Sequence, residues 1–332
     1  MIVVNYHDDL NEVQDNPALA AMLRAPAAAT PFNRLEWWRN LAENCGLLPL
    51  IAVASQGSET AVLALALNGR ALGAFENWYS FAFAPIVSEG SRRKDLLDAI
   101  AESLVSRSGR VSLDKLGADD AADLARALRS AGYLVWIGET AVNHRLSVGG
   151  RSFADYLSSR HGQLRSTLKR KRGKLDIVLH DTFSDEVHDI FENIYKFSWK
   201  PEEGSAAFLR RYAREEGSAG RLRMAIGYAD GIPVSAQLWT VENGTAYIHK
   251  LAHRSDANDL SPGSLLTAAL MERVIDHDRV QLVDFGTGDD AYKRNWMEEV
   301  RTLYRVDAIR PLNPRNWPAI ARRFLRQLAK RA

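Results

Sequence analysis

Apolar positions recur along this chain with two periods, and each change of period marks a new element. Residues 31–44 place Phe32, Leu35, Trp38 and Leu41 at helical spacing. Short apolar runs at 50–53 and 61–67 flank Gln56-Gly57-Ser58, which predicts two strands joined by a tight turn. Strand character continues through 72–80 and 81–87. An amphipathic helix is predicted over 92–106, a strand over 111–116, a helix over 119–130 that ends at Gly132, and a strand over 133–137.

Ser147-Val148-Gly149-Gly150-Arg151 reads as a linker. Beyond it the pattern predicts a basic helix over 153–174, a strand over 175–180 and helices over 184–198 and 206–216. Three strands follow at 222–228, 233–242 and 245–253, joined by turns at Ala229-Asp230-Gly231 and Asn243-Gly244. A helix opens at Ser261-Pro262-Gly263-Ser264, then come a strand at 281–285, a short helix and a last strand near 302–309. Each half carries hairpins followed by a helix-and-strand crossover, without a close sequence repeat. The expected class is α/β, in the α+β sense of mixed sheets, with a duplicated architecture. The expected divisions are an N-terminal domain at 1–148, a C-terminal domain at 149–310 that carries the chemistry, and a tail helix at 311–332.

Composition narrows the class of function. The 332 residues suit two domains of about 150 each, and 46% hydrophobic with 25% charged residues is enough for sizeable cores. A net charge of +2 points to no partner by itself. The opening residues lack the basic stretch and apolar core of a secretory leader. No run reaches the ~18 to 20 apolar residues of a membrane span, so a cytoplasmic location is expected. The single cysteine, Cys45, excludes an internal disulfide and a thiolate metal cluster. Nothing beside it would activate a thiolate, and a buried structural cysteine is expected. The histidines form no HxH or HExxH arrangement, so no metal is expected.

The most informative segment runs over 246–296. It reads as a strand, a loop, a helix whose first turn holds Pro262 and Gly263, and a second strand. Small residues at a helix start expose backbone N–H groups and the positive end of the helix dipole, which suits a pyrophosphate. Ser261 is the expected N-cap, with Pro262 at the first helical position. The same residues also describe an ordinary capped helix.

This strand, the SPGSLL helix and the following DFGTGDDAYKRNW resemble the C-terminal half of the CelD-like branch of the GNAT acyltransferases, related to FemAB-type peptidoglycan aminoacyltransferases. The likeness is specific over about 221–305, and in the N-terminal half only the NRLEWW helix and the general layout agree. Of the family's glycine-rich pyrophosphate signature, Gly263 survives. The resemblance implies tandem GNAT-like domains and transfer of an acyl group from acyl-CoA to an amine. It further implies that strands 245–253 and 281–285 splay apart to admit the pantetheine arm. His249 is then a candidate base, Asp284 a group that orients it or binds the ammonium, and Tyr292 the acid that protonates the leaving thiolate. Lys250, Ser261, Gly263, Ser264 and Lys293 are candidates for holding CoA. Alternation puts Lys250 on the face opposite His249. Each of these residues also has a plain structural reading, as a strand hydrogen-bonder, a turn or a packing contact.

Two basic segments bear on partners. Arg160, Arg165, Lys169, Arg170, Lys171, Arg172 and Lys174 lie in a stretch without an acid, as a site for a CoA phosphate, an anionic acceptor or anionic lipid, or as a solvated face. In the tail, Ile320, Phe324, Leu325 and Leu328 oppose Arg322, Arg323, Arg326, Lys330 and Arg331, a pattern suited to an anionic membrane surface or to docking on the protein itself. Neither segment matches a nucleic-acid module. The aromatic run Phe75, Trp78, Tyr79, Phe81 and Phe83 reads as core or as the lining of an apolar channel. The resulting expectation is an N-acyltransferase acting near the inner membrane. Family members acylate long-chain bases, as bacterial ceramide synthases, or amino sugars for exopolysaccharide; a non-catalytic scaffold is the remaining class.

Overall fold

The computed structural model describes residues 1–69 and 71–329, and the chain divides into two units: Met1–Ala141 with the residues from Thr302 onward, and Val142–Arg301. The first unit opens with β1 (Val3–His7), α1 (Leu10–Asp15), α2 (Pro17–Met22) and α3 (Leu35–Cys45). Strands β2 (Pro49–Gln56), β3 (Glu59–Asn68) and β4 (Ala71–Ala74), the short β5 (Ile86–Val87), α4 (Arg93–Leu104), β6 (Arg110–Leu116) and α5 (Ala118–Ser130) follow. Strand β7 (Leu134–Ser147) begins in the first unit and ends in the second.

The second unit continues with α6 (Phe153–Ser158), α7 (Gly162–Lys171), β8 (Asp176–His180), α8 (Asp185–Lys196) and α9 (Ala206–Ser218). Then come β9 (Leu222–Ala229), β10 (Ile232–Glu242), β11 (Thr245–His253), α10 (Pro262–Glu272), β12 (Leu282–Thr287) and α11 (Ala291–Trp296). Strand β13 (Glu299–Ile309) returns to the first unit, where α12 (Trp317–Ala329) ends the described chain. The two halves therefore repeat one order: strand, helices, three antiparallel strands, helix, strand, helix, strand. The fold is mixed α/β.

In the first unit the strands lie in the order β1-β2-β3-β4-β6-β13, with β4 and β6 parallel and β5 paired to β3. In the second, the end of β7 pairs antiparallel with β12, and the order continues β11-β10-β9-β8. Strands β11 and β12 are parallel. Hairpin geometry follows from the turn residues. Asp230 and Gly231 have φ of 50° and 77°, and Asn243 and Gly244 have 48° and 69°, the left-handed pairs of a two-residue turn.

Helix α10 presses Leu266, Leu270 and Met271 against Trp239, Ile248 and Val283 of the sheet, all fully buried or nearly so. Each such side chain contributes roughly 1.5–3 kcal/mol, so α10 is anchored along its length and its first turn is held without help from a cap. In the first unit Phe75, Tyr79, Phe81 and Phe83 are buried and Trp78 is 59% exposed. Phe81 meets Phe32 at 5.1 Å and Phe75 meets Trp38 at 6.5 Å; these four are core. Cys45 is half-buried at the end of α3 rather than buried.

Several elements differ from the sequence pattern. The helix predicted over 153–174 is two, because the Ser158 and Ser159 hydroxyls bond back to the carbonyls of Asp155 and Tyr156 at 2.7 Å and interrupt the ladder. Arg160 pairs with Glu298 and covers the Tyr156 ring at 5.0 Å. The strand character of 72–87 is reduced to β4 and β5, with a turn at Trp78-Tyr79, closed by the Ser80 N–H on the Asn77 carbonyl, and otherwise irregular chain between them. In the tail, Arg323 binds Asp307 at 2.5 Å and lies over Trp136 at 5.3 Å. Trp317 and Leu325 are 61% and 65% exposed. Lys330 and Arg331, and the side chains of Phe324, Arg326 and Leu328, lie outside the described residues. No described helix is long and apolar enough to cross a membrane.

Candidate active site

Strands β11 and β12 hold together over three residue pairs only, Thr245–Tyr247 with Leu282–Asp284. Beyond Tyr247 they part. At the open end lies a cleft of about 400 Å³. Its walls are Leu251 and His253 of β11, Phe285 of β12, Gly263 of α10, Asp290, Tyr292 and Lys293 around α11, and Trp199 and Lys200 from the α8–α9 connection.

The start of α10 faces this cleft. Ser261 occupies the N-cap position in a left-handed conformation, φ 54°, and its side chain makes no cap hydrogen bond. The expected serine cap is therefore not formed, and the first-turn N–H groups are not covered by it. Pro262 stands at the first helical position as the sequence indicated. The Gly263 carbonyl accepts from Gln237 Nε2 at 2.9 Å. A Cβ at Gly263 would come 3.6 Å from the Tyr292 hydroxyl and 3.8 Å from His253 Nδ1, so the missing side chain leaves open space at the cleft floor.

Tyr292 ends a buried chain of hydrogen bonds. Trp239 Nε1 donates to Gln237 Oε1 at 2.9 Å, Gln237 Nε2 to Thr267 Oγ1 at 2.8 Å, and Thr267 Oγ1 is 2.7 Å from Tyr292 Oη. Burial pushes the phenol up to about 12, partly offset by hydrogen bonds with Thr267, Trp296 and Ser264. It is thus protonated near neutrality. Lys293, one residue on, donates to the Thr287 carbonyl. Burial lowers its pKa.

His249 sits elsewhere on β11. Gln237 pairs with Leu251, Leu238 with Lys250, but Trp239 with Ile248, so His249 is the extra residue of a β-bulge. Its Nε2 lies 2.9 Å from Thr240 Oγ1 and 3.1 Å from Tyr212 Oη, with the ring edge-on to Tyr212 at 4.9 Å. The bulge resets the alternation. Lys250 reaches Glu203 at 2.7 Å and lies 5.5 Å from the Tyr195 ring, so it shares the α8–α9 side with His249 instead of taking the opposite face.

Asp284 is buried beneath the turn after β12. Its carboxylate accepts from the Gly286 N–H at 2.8 Å and from Asn143 Nδ2 at 3.1 Å, with Arg145 Nε at 3.7 Å. Burial raises its pKa against those partners. Of the sequence candidates, then, Gly263, Tyr292 and Lys293 line the cleft, with Ser264 at the Tyr292 hydroxyl. His249, Lys250 and Asp284 are placed around it by other contacts.

Three cleft residues carry no obvious sequence signal. His253 gives Nε2 to Asn258 Oδ1 at 2.7 Å, while its buried Nδ1 has no partner among the described residues. Burial and the nearby Lys200 charge lower its pKa against the Asn258 hydrogen bond. The Trp199 ring lies 4.2 Å from the His253 ring. Lys200 is half-buried, and burial with the charges of Lys250 and Lys293 lowers it to about 8. A tryptophan-lysine pair before Pro201 in a predicted interhelical loop was the available clue. The arrangement offers main-chain donors, two ammonium groups and a protonated phenol around one gap, which suits an anionic ligand and a leaving group in need of a proton.

Comparison with solved structures finds the same overall architecture. The crystal structure of FemX superposes with a TM-score of 0.63 at 12% identity, covering 91% of this chain and 96% of that one. The C-terminal domain of a putative lysylphosphatidylglycerol synthetase from Agrobacterium fabrum gives 0.59 at 13%, covering 90% and 92%. A tandem GNAT protein from the clavulanic acid biosynthesis pathway gives 0.55 at 14%, covering 93% and 98%. No curated protein matches in sequence. Residues 158–294, which hold every residue of the cleft, match the family described as acetyltransferase (GNAT) domain.

Proposed function

We propose that this protein transfers an acyl group from acyl-CoA to the amine of an acceptor. The observation that carries the reading is the parting of β11 from β12 beside the uncapped start of α10. A slender thioester arm fits between strands that have ceased to pair, and a pyrophosphate fits the N–H groups and dipole of the helix. Lys293 and Lys200 supply positive charge to the same gap, and His253 Nδ1 offers an unsatisfied ring nitrogen. Tyr292, kept protonated by burial, is the donor for the departing thiolate, with Ser264 and Thr267 hydrogen bonded to its oxygen. His249 is the proposed proton acceptor for the amine, with Lys250, Ser261 and Gly263 assigned to CoA and Asp284 to positioning. The domain limits 1–148, 149–310 and 311–332 stand as the corresponding proposal for the chain's functional parts.

The acceptor is proposed to lie at an anionic inner-membrane surface, reached from the cytoplasm. Exposed Trp317 and Leu325 with exposed Arg322 on α12 support this. A long-chain amino base, as in ceramide formation, is the first choice of acceptor, and an amino sugar of a surface polysaccharide the second. Calorimetry with CoA, followed by thiol release from acetyl- and palmitoyl-CoA with each amine, tests the reading. Absence of CoA binding by folded protein overturns the donor assignment, and a strict preference for acetyl transfer to amino sugars overturns the lipid acceptor.

A further inference from the structure

Lys200 belongs to two cavities. Besides the cleft, a chamber of about 440 Å³ lies among α8, α9 and their connection, lined by His188, Phe191, Tyr195 and Leu209 and rimmed by Glu203. Lys200 is the residue common to the walls of both.

Its surroundings set it apart from the other two ammonium groups nearby. Lys250 is held by Glu203 at 2.7 Å, and Lys293 by the Thr287 carbonyl. The ammonium of Lys200 makes no hydrogen bond or ion pair among the described residues, and its contact is the Trp199 ring, 5.8 Å from Nζ. Burial comes first among the causes that lower its pKa to about 8, then Lys250 and Lys293, against a smaller pull from Asp290 and Glu203. At pH 7 roughly a tenth of such a side chain is the neutral amine, and at pH 8 about half.

We infer that Lys200 is itself an acyl acceptor, modified by the protein's own donor when no other amine occupies the site. This rests on the proposed acyl-CoA reading of the cleft. The neutral Nζ attacks the thioester carbonyl carbon, a C–N bond forms, the C–S bond breaks and its electron pair leaves on sulfur. The proton lost from nitrogen balances the thiolate, so the products are an amide and free CoA. The acylated side chain is longer and uncharged. It stands where cleft and chamber meet, removes one of the cleft's two ammonium charges that favour an anionic donor, and acts as a brake when donor is plentiful and acceptor scarce.

The test incubates the purified protein with acetyl-CoA at pH 8 without acceptor and follows acetylation at each lysine by peptide mass mapping. A parallel calorimetric titration measures CoA affinity. Lys200 should be modified at least about tenfold faster than the exposed Lys169 and Lys174, since it is held beside the bound thioester. Excess CoA should suppress the difference, urea should abolish it, and Lys200→Arg should remove the fast site while the slow acetylation of the exposed lysines stays unchanged. If CoA binds but Lys200 reacts no faster than Lys169, the inference fails alone. If folded protein binds no CoA, the donor reading fails and takes the inference with it.

Discussion

The Tyr292 and Thr267 hydroxyls stand 2.7 Å apart, and Gln237 Nε2 reaches the same threonine oxygen at 2.8 Å. Either hydroxyl can donate across that contact, and Thr267 Oγ1 also reaches Gln237 Oε1 at 3.2 Å; turned toward the tyrosine, its O–H donates to the phenol oxygen. That hydrogen bond strengthens once the phenol has given its proton away. Tyr292→Phe should therefore lower thioester turnover by about 10²- to 10⁴-fold, and Thr267→Val by less, with folding midpoints little changed. A Tyr292→Phe protein with wild-type turnover removes the tyrosine from the chemistry.

Gly263 has room for a methyl group and not for a branched chain. A Cβ there would lie 3.6 Å from Tyr292 Oη, an ordinary contact. Gly263→Ala should bind CoA nearly as the parent does, and Gly263→Val at least about tenfold more weakly by blocking approach to the helix start. Calorimetry on both folded variants decides it; equal affinities would move the pyrophosphate elsewhere.

His249 distinguishes a base from a brace. If it takes the amine's proton, His249→Ala loses most turnover while CoA affinity holds. If its ring serves only Thr240 and Tyr212, the same change lowers stability by about 1–3 kcal/mol and leaves turnover per folded molecule intact. Urea melts and initial rates on one preparation separate the two outcomes.

Asp284 ties stability to pH. Burial raises its folded pKa above the unfolded value, so the folded state binds the proton more tightly. The destabilisation is absent well below about pH 4 and grows as pH rises from the unfolded pKa through the folded one. Asp284→Asn removes it, and Asn143, whose Oδ1 has no partner, can turn that oxygen toward the new amide. The melting temperature of Asp284→Asn relative to the parent should rise between pH 4 and pH 7. Asp284→Ala, which strands the Gly286 N–H, should be less stable than either at low pH.

The membrane reading predicts salt-sensitive binding to anionic vesicles, since charges are screened over ~8 to 10 Å at physiological ionic strength. Trp317→Ala with Leu325→Glu should release the protein from phosphatidylglycerol vesicles without lowering its melting temperature, because both side chains are exposed. Vesicle binding that never exceeds the neutral-lipid control would sink the reading and with it the main support for a lipid acceptor.

Much of the second unit could be read from the chain because its signals are local. Asp230-Gly231 and Asn243-Gly244 fix two hairpins, and Pro262 opens a helix, whatever surrounds them. Ile248-His249-Lys250-Leu251 sets two polar residues side by side, a lapse in alternation that could equally be a strand end; only the register of β10 makes it a bulge. The cleft itself was half legible. Gly263, Tyr292 and Lys293 lie in one motif-bearing segment, but Trp199 and Lys200 arrive from a loop far upstream. Their burial, and hence the lysine's lowered pKa, is a property of packing that no spacing encodes. The break in the helix predicted over 153–174 was concealed for a similar reason: serine is tolerated in helices, and only the bonds its hydroxyl finds decide whether it interrupts one.

Strand β13 has a consequence for how the molecule is made. Its residues Tyr304–Ile309 pair with β6, Leu116–Arg110, so the partner of β6 is translated only after the whole second unit. While the ribosome produces the whole second unit, that side of β6 waits with its main-chain donors and acceptors unpaired, the kind of edge that recruits stray strands. Emergence of β13, rather than of the first half, therefore sets the moment at which the first sheet can be finished. Until then the newborn chain depends on being shielded from its own copies on the polysome.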